Sequence, residues 1–157
     1  MKVPSLDFRE AIPGDEAGLF PMMRALAEQE PGAAHFEESA VRSAFHQFLS
    51  LPAFGRIGLL YHGPALVGYV ILTLGFSFEF RGHDAFLDEL FIVPARRRGI
   101  GRQAVAFVWQ EAREMGVNAI HLEVDRGNDP ALELYRRTGY RDHDRFLMTK
   151  WLKSGIK

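Results

Sequence analysis

The sequence predicts an α/β protein of one domain, and its strand pattern carries that expectation. From Arg56 to Val93, β-forming runs follow one another with short turns between them, the pattern of an antiparallel meander. From Leu87 to Asp125 the order becomes strand, helix, strand, which implies a crossover and a parallel pair. The length of 157 residues, 47% of them apolar, fits one domain with a sizeable core. About seven strands and about four helices are expected. No repeat, linker or low-complexity tract divides residues 1–157.

Taken in order, Leu6 to Ala11 reads as a first strand. Pro13-Gly14-Asp15 breaks it, and Asp15 is placed to cap a helix. Leu19, Met22, Met23, Leu26 and Ala27 then recur at helical spacing. Pro21 predicts a kink or a late start there, because it removes one backbone hydrogen bond. Pro31-Gly32 ends the segment. Glu37 to Leu49 is a second amphipathic helix, with Phe45 and Phe48 on its apolar side. Its phenylalanines either face the core or close over a ligand.

Arg56–Tyr61 and Ala65–Leu74 flank His62-Gly63-Pro64 as a hairpin, and Phe76–Phe80 continues the second strand. Arg81 to Asp84 turns the chain into the Leu87–Val93 strand. After Gly101, residues Ala104, Val105, Val108, Ala112 and Met115 form a helical stripe that Gly116 ends. Ala119–Asp125 alternates as a strand. Asp129 and Pro130 begin a last helix as N-cap and first residue, and Gly139 stops it. Tyr140 to Trp151 is expected to hold two short strands around Asp142-His143-Asp144.

Composition narrows the function. The net charge of −1 argues against a general nucleic-acid binder, so Arg96-Arg97-Arg98 is a local feature. With no cysteine there is no disulfide, thiolate metal site or cysteine nucleophile. The six histidines lack a metal-ligand spacing such as H-E-x-x-H, and no metal is expected. No apolar run approaches the ~18 residues of a membrane span, and the N-terminus has no signal-peptide core. A cytoplasmic location with no membrane partner is the default expectation.

The chemistry concentrates in Leu87–Ala104. A strand, a turn with three arginines and a glycine-led helix start together make an anion site. The helix N-terminus offers unpaired N–H groups, glycines allow close approach, and arginines suit phosphate oxygens. Gly99-x-Gly101-x-x-Ala104 also fits a relaxed dinucleotide fingerprint, with Glu123 or Asp125 near the distance of its acidic residue. Two features count against that fingerprint. Pro94 to Arg98 separates the glycines from the strand, and the preceding chain reads as hairpin rather than βαβ.

Arg96-x-x-Gly99-x-Gly101, after a strand ending in Val-Pro and before an amphipathic helix, closely resembles the acetyl-CoA signature of the GNAT superfamily of N-acetyltransferases. Asn128-Asp-Pro-Ala131-Leu-Glu-Leu-Tyr135-Arg-Arg-Thr-Gly139-Tyr140 resembles that family's second block, in the same order and at similar separation. The opening from Phe8 to Glu28 looks like that family's usual opening, and Ala25-Leu-Ala-Glu-Gln-Glu30 with the Asp88-Glu89 strand resembles the diamine and polyamine acetyltransferase branch. One departure is that only Ala95 separates Pro94 from Arg96, where members commonly have two residues.

The resemblance implies a mixed, strongly twisted sheet with helices on both faces. Its two central parallel strands, Leu87–Val93 and Ala119–Asp125, would splay to admit pantetheine. The co-substrate would be acetyl-CoA. Backbone groups of Phe91, Ile92 and Val93 would pair with pantetheine. The pyrophosphate would lie on Arg96, Arg97, Arg98, Gly99, Ile100, Gly101 and Arg102, and Asn128 and Ala131 would line the thiol end. Tyr135 would protonate the departing thiolate.

An amine nucleophile is mostly protonated at pH 7 and needs a base. Glu89 is the first choice and Asp88 the second, with strand alternation sending the two to opposite faces. Glu28, Glu30, Glu79, Asp88 and Glu89 are candidates to line a pocket for a small cationic amine, with Phe76, Phe78 and Phe80 as a cation–π wall. Without a cysteine, direct transfer in a ternary complex is the simplest route. The alternatives are a non-catalytic acyl-CoA-binding module and a protein acetyltransferase. A homodimer is suggested by the family resemblance and the phenylalanine content.

Overall fold

The computed structural model describes residues 5–30, 32, 35–94 and 99–154. Its sheet has five strands in sequence order: β1 (Asp7–Glu10), β2 (Gly55–His62), β3 (Ala65–Ser77), β4 (Gly82–Ile92) and β5 (Ala119–Leu122). The first four are antiparallel neighbours, and β5 joins β4 in parallel. The helices are α1 (Glu16–Gln29), α2 (Glu38–Leu49), α3 (Ile100–Glu114) and α4 (Asp129–Arg137).

The sheet splits the core in two because side chains alternate along each strand. Ile57, Leu59, Tyr69, Ile71 and Phe91 face α1 and α2, with Leu19, Phe20, Met22 and Phe45. Leu60, Val70, Leu72, Leu87 and Ile92 face α3, with Ile100, Ala104 and Val108. Burial of each such large apolar side chain contributes about 1.5–3 kcal/mol. The phenylalanines of α2 serve the core: Phe45 meets Phe20 edge-on, with ring centroids 5.6 Å apart. The α3 stripe is buried as its spacing predicts.

Five strands stand where about seven are expected. Tyr140–Trp151 forms no strand, and Phe146, Leu147, Met148 and Leu152 are exposed. A cavity of about 1200 Å³ lies beside β5, between α4 and the residues that follow it. Its walls include Ile120, Leu122, Tyr135 and Phe146. The segment therefore stands off β5 instead of hydrogen-bonding to it. As a result the parallel pair lies at the sheet edge among the described residues, not at its centre.

Smaller differences have local causes. The α1 helix starts before Pro21 and runs through it, so the late start does not occur. The hydrogen bond that proline cannot make would have ended on Ala17, near the helix start, where little of the ladder is lost. Asp15 precedes α1 without capping it, because its carboxylate accepts from the Ile12 N–H at 2.7 Å and pairs with Arg9 at 2.6 Å. In α4 the cap is Asn128 rather than Asp129. β4 begins at Gly82, and β5 ends at Leu122.

Candidate active site

The site is built on β4. Its ladder to β3 extends to Ile92, and the Val93 N–H donates to the Val67 carbonyl at 2.8 Å. Its ladder to β5 ends much earlier, at Leu87 opposite Leu122. Beyond that point no described residue of β5 pairs with β4. Amides alternate along an antiparallel strand, so Phe91 and Val93 turn theirs toward β3 while Ile92 turns its own toward the β5 edge. Of the three backbone positions expected to meet pantetheine, Ile92 has the outward geometry.

Below that edge lies the start of α3. Gly99 has φ 77°, in the left-handed region where glycine is favoured, and it has no side chain to cap the helix. No acidic residue stands in the first turn. Among the described residues, the first-turn amides of Ile100, Gly101 and Arg102 are thus suited to a ligand's acceptor oxygens. A Cβ on Gly101 would lie 3.2 Å from Leu134, so a side chain there would press on α4. Arg96, Arg97 and Arg98 lie outside the described residues.

Asp88 and Glu89 do not alternate as expected. The β3–β4 register shifts so that Ile71 faces Glu89 and Leu72 faces Leu87, which leaves Asp88 as the extra residue of a bulge. Asp88 acts on Glu30 at the end of α1, and Asp88 and Glu30 both act on Glu89. Glu123 and Asp125, just past β5, also act on Glu30, so acids from three parts of the chain converge here. Burial is the main cause that raises the Glu30 carboxyl, and burial also raises Asp88.

Glu89 is pushed up to about 7, first by burial and then by Asp88 and Glu30, against a lowering hydrogen bond from Tyr69. That bond runs from the Tyr69 hydroxyl to Glu89 Oε2 at 2.6 Å. Such a group is half ionised near neutral pH, which suits a general base.

Tyr135 lies on α4 and packs into the cluster that holds Leu90, Ile92, Ile120 and Leu122. It therefore packs on the α3 side of the sheet, while Tyr69 and its partner Glu89 stand on the α1 side. Burial raises its hydroxyl. Its ring meets Tyr140 at 5.5 Å, and the buried Tyr140 hydroxyl, pushed up to about 12 mainly by burial, has no protein partner among the described residues. The Asn128 side chain accepts from the Ala131 N–H at 3.3 Å, so these two residues are held together as the cap of α4.

The remaining acceptor candidates fall elsewhere. Glu28 is exposed on α1. Glu79 lies in the β3–β4 turn, bound by two 3.0 Å contacts to Arg145. Phe76 pairs with His83, five positions along β3 from the Ile71–Glu89 pair, or roughly 17 Å at a strand's rise. Phe76 and Phe78 are exposed, and Phe80 packs on His121 at 4.7 Å. The aromatic wall is therefore not beside Glu89.

Sequence reasoning passed over Tyr69, Glu123 and Asp125 as parts of this site. Tyr69 sits in an aliphatic strand and reads as core. Its signal is the cross-strand register, which makes it a diagonal neighbour of Glu89. Glu123 and Asp125 entered only through the dinucleotide fingerprint.

A family model described as "Acetyltransferase (GNAT) family" matches residues 20–140. Thialysine N-epsilon-acetyltransferase of Sus scrofa is 30% identical over 150 residues, covering 88% of this chain and 85% of that protein. The crystal structure of an integron cassette protein from the mobile metagenome of Cole Harbour Salt Marsh is 33% identical. It superposes with a TM-score of 0.80 over 95% of this chain and 92% of that one. Aminoglycoside N-acetyltransferase AAC(6')-Iy in complex with CoA is only 13% identical yet has a TM-score of 0.76 over 97% of this chain and 98% of its own, a likeness of fold.

Proposed function

The chain belongs to the GNAT family of acetyltransferases, and from that premise we propose that it transfers an acetyl group from acetyl-CoA to a primary amine of a small cationic acceptor. The observation that carries this reading is the bulge that gathers Asp88 and Glu89 with Glu30, just past the end of the β4–β5 ladder. Clustered carboxylates favour a cation, and the cation must then lose a proton to become a nucleophile. The named activity of the Sus scrofa relative, acetylation of the thialysine Nε, is of the same chemical class. The Glu79 and Phe76–Phe80 assignments are given up, and Asp88, Glu89 and Glu30 form the acceptor pocket, with Glu123 and Asp125 at its margin.

The residues present fit acetyl-CoA. The α3 start, with no side-chain cap and no acidic residue in its first turn, has donors for pyrophosphate. When bound, acetyl-CoA supplies a thioester carbonyl as the electrophile. Glu89 removes a proton from the incoming ammonium, directly or through one water. A backbone N–H near Ile92 would polarise the thioester oxygen. Tyr135 gives its proton to the leaving sulfur, and burial keeps that proton on the phenol until it is needed. The route is a direct attack within a ternary complex, since the chain has no cysteine to take the acetyl group first.

The test is a screen of diamines, polyamines, aminoglycosides and amino acids for amine-dependent release of free CoA. Turnover with a small amine supports the reading. Cofactor binding with no turnover on any acceptor would favour a non-catalytic acyl-CoA-binding module. Tyr135→Phe is expected to lower turnover about 10- to 100-fold while acetyl-CoA affinity, measured by calorimetry, stays within about twofold. Collapse of affinity with intact turnover would remove the acid role.

A further inference from the structure

The Tyr69 side chain is fully buried at 0% exposure on β3, within the core layer beneath α1 and α2. Its hydroxyl is a polar group in apolar surroundings, and such a group must find a partner. The partner is Glu89 Oε2, at 2.6 Å. The tyrosine ring stacks near Phe91, with centroids 6.0 Å apart, and Tyr69 pairs directly with Phe91 in the ladder. The ring is not free to turn without disturbing the packed core around it.

The consequence falls on Glu89. A carboxylate has two oxygens, and a flexible one presents either to a substrate. Here Oε2 is engaged by a donor whose position is set by packed β-structure. The bulge at Asp88 supplies the other half of the geometry, because it directs Glu89 onto the face where Tyr69 lies. We propose that Tyr69 is a positioning residue for acetyl transfer, holding Glu89 by Oε2 so that Oε1 is the oxygen that takes the proton of the acceptor ammonium. In that step the N–H bond breaks, an O–H bond forms at Oε1, and the nitrogen lone pair is released for attack. Tyr69 keeps its own proton throughout, since burial and the adjacent Glu89 charge both raise its phenol.

The proposal rests on the reading of Glu89 as the base in amine acetylation. The groups that act on Glu89 are Tyr69 from β3, Asp88 beside it on β4 and Glu30 from the end of α1. Glu123 and Asp125 act on Glu30 in turn. Of these, Tyr69 alone favours the carboxylate over the acid. Removing its hydroxyl therefore makes Glu89 harder to ionise.

The test is the pH–rate profile of Tyr69→Phe with whichever amine the wild-type chain acetylates. Turnover at pH 7 should fall about fivefold, the acidic limb should move up by about one pH unit, and activity should recover toward wild type in alkali. A uniform loss across pH with an unmoved limb would mean that Tyr69 only supports the core, and would overturn the proposal. In a Glu89→Gln background, Tyr69→Phe should cause no further loss of turnover, whereas a second full loss of about fivefold would overturn it.

An activity-free arm separates this idea from the reading it rests on. Should no amine be acetylated, the function reading fails, and the Glu89 carboxyl titration by carbon NMR still decides the coupling. An upward shift in Tyr69→Phe supports the pairing, and an unchanged titration refutes it.

Discussion

The two halves of β4 are made of similar residues and do different work. From Asp84 to Leu87 the strand is flanked on both sides, by β3 and by β5. From Glu89 to Ile92 it is flanked by β3 alone among the described residues. Asp88, the bulge residue, is the boundary between them. In the first half the backbone is satisfied within the sheet, and its side chains hold the fold. In the second half no described residue of β5 pairs with the strand. The bulge also ends the side-chain alternation, and so collects two carboxylates where a regular strand would separate them. A single extra residue thus brings both carboxylates to one face of the strand.

The sharpest way to break this comparison is Glu89→Gln, in the open half. Turnover at pH 7 should fall roughly 10²- to 10⁴-fold, the range for loss of a general base. Stability should move the other way. The native carboxyl titrates near 7, above its ordinary value, because burial opposes the charge. The native state therefore holds this proton when the unfolded chain has released it. The associated stability is complete below the unfolded value and is lost as pH rises through about 7. At pH 8 the neutral glutamine avoids that loss, and Glu89→Gln should be more stable than wild type by about 1–3 kcal/mol in denaturant melts. At pH 4 the difference should vanish. An active Glu89→Gln protein would show that the open half does not carry the base.

Next in size is Leu87→Ala, in the two-sided half. Leu87 is 4% exposed and packs in the cluster beneath α3. Its truncation leaves a cavity and should cost about 2–4 kcal/mol, read from urea midpoints. Turnover per folded molecule at low temperature should change less than about threefold, since the open half is left intact. A loss of turnover matching that of Glu89→Gln would merge the two halves into one functional unit.

How much of this was legible in the sequence follows the same division. The alternating runs of β2 and β3, the α3 stripe and the Gly99–Gly101 helix start declared themselves through local periodicity and glycine placement. The Asn128–Tyr135 block did so through its resemblance to a family. The bulge did not. Asp88-Glu89 looks like any two strand residues, and only the register against Ile71 and Leu72 reveals that one of them is extra. Tyr69 was hidden for the same reason, because its meaning lies in a diagonal contact across strands rather than in its neighbours in sequence. Glu79 and the Phe76–Phe80 run misled in the opposite direction, since composition marks an acidic and aromatic stretch but not its distance from the base. The segment after Tyr140 has strand-like residues, yet strand formation needs a partner edge, and that requirement cannot be read from the segment itself.

The smallest expected effect sharpens the boundary at its far end. Asp84 Oδ2 lies 3.3 Å from His121 Nε2, and the pair spans β4 and β5 within the two-sided half. Both side chains are partly exposed, at 19% and 27%, so water screens their attraction. Asp84→Asn should therefore destabilise the chain by only about 0.5–1 kcal/mol. It should leave both kcat and the midpoint of the acidic limb unchanged, because Asp84 begins the paired stretch opposite Ala119, three residues before the ladder ends at Leu87. A shift of that limb in Asp84→Asn would show that charge at the closed end reaches Glu89. The bulge would then no longer mark where the structural half of the strand stops and the chemical half begins.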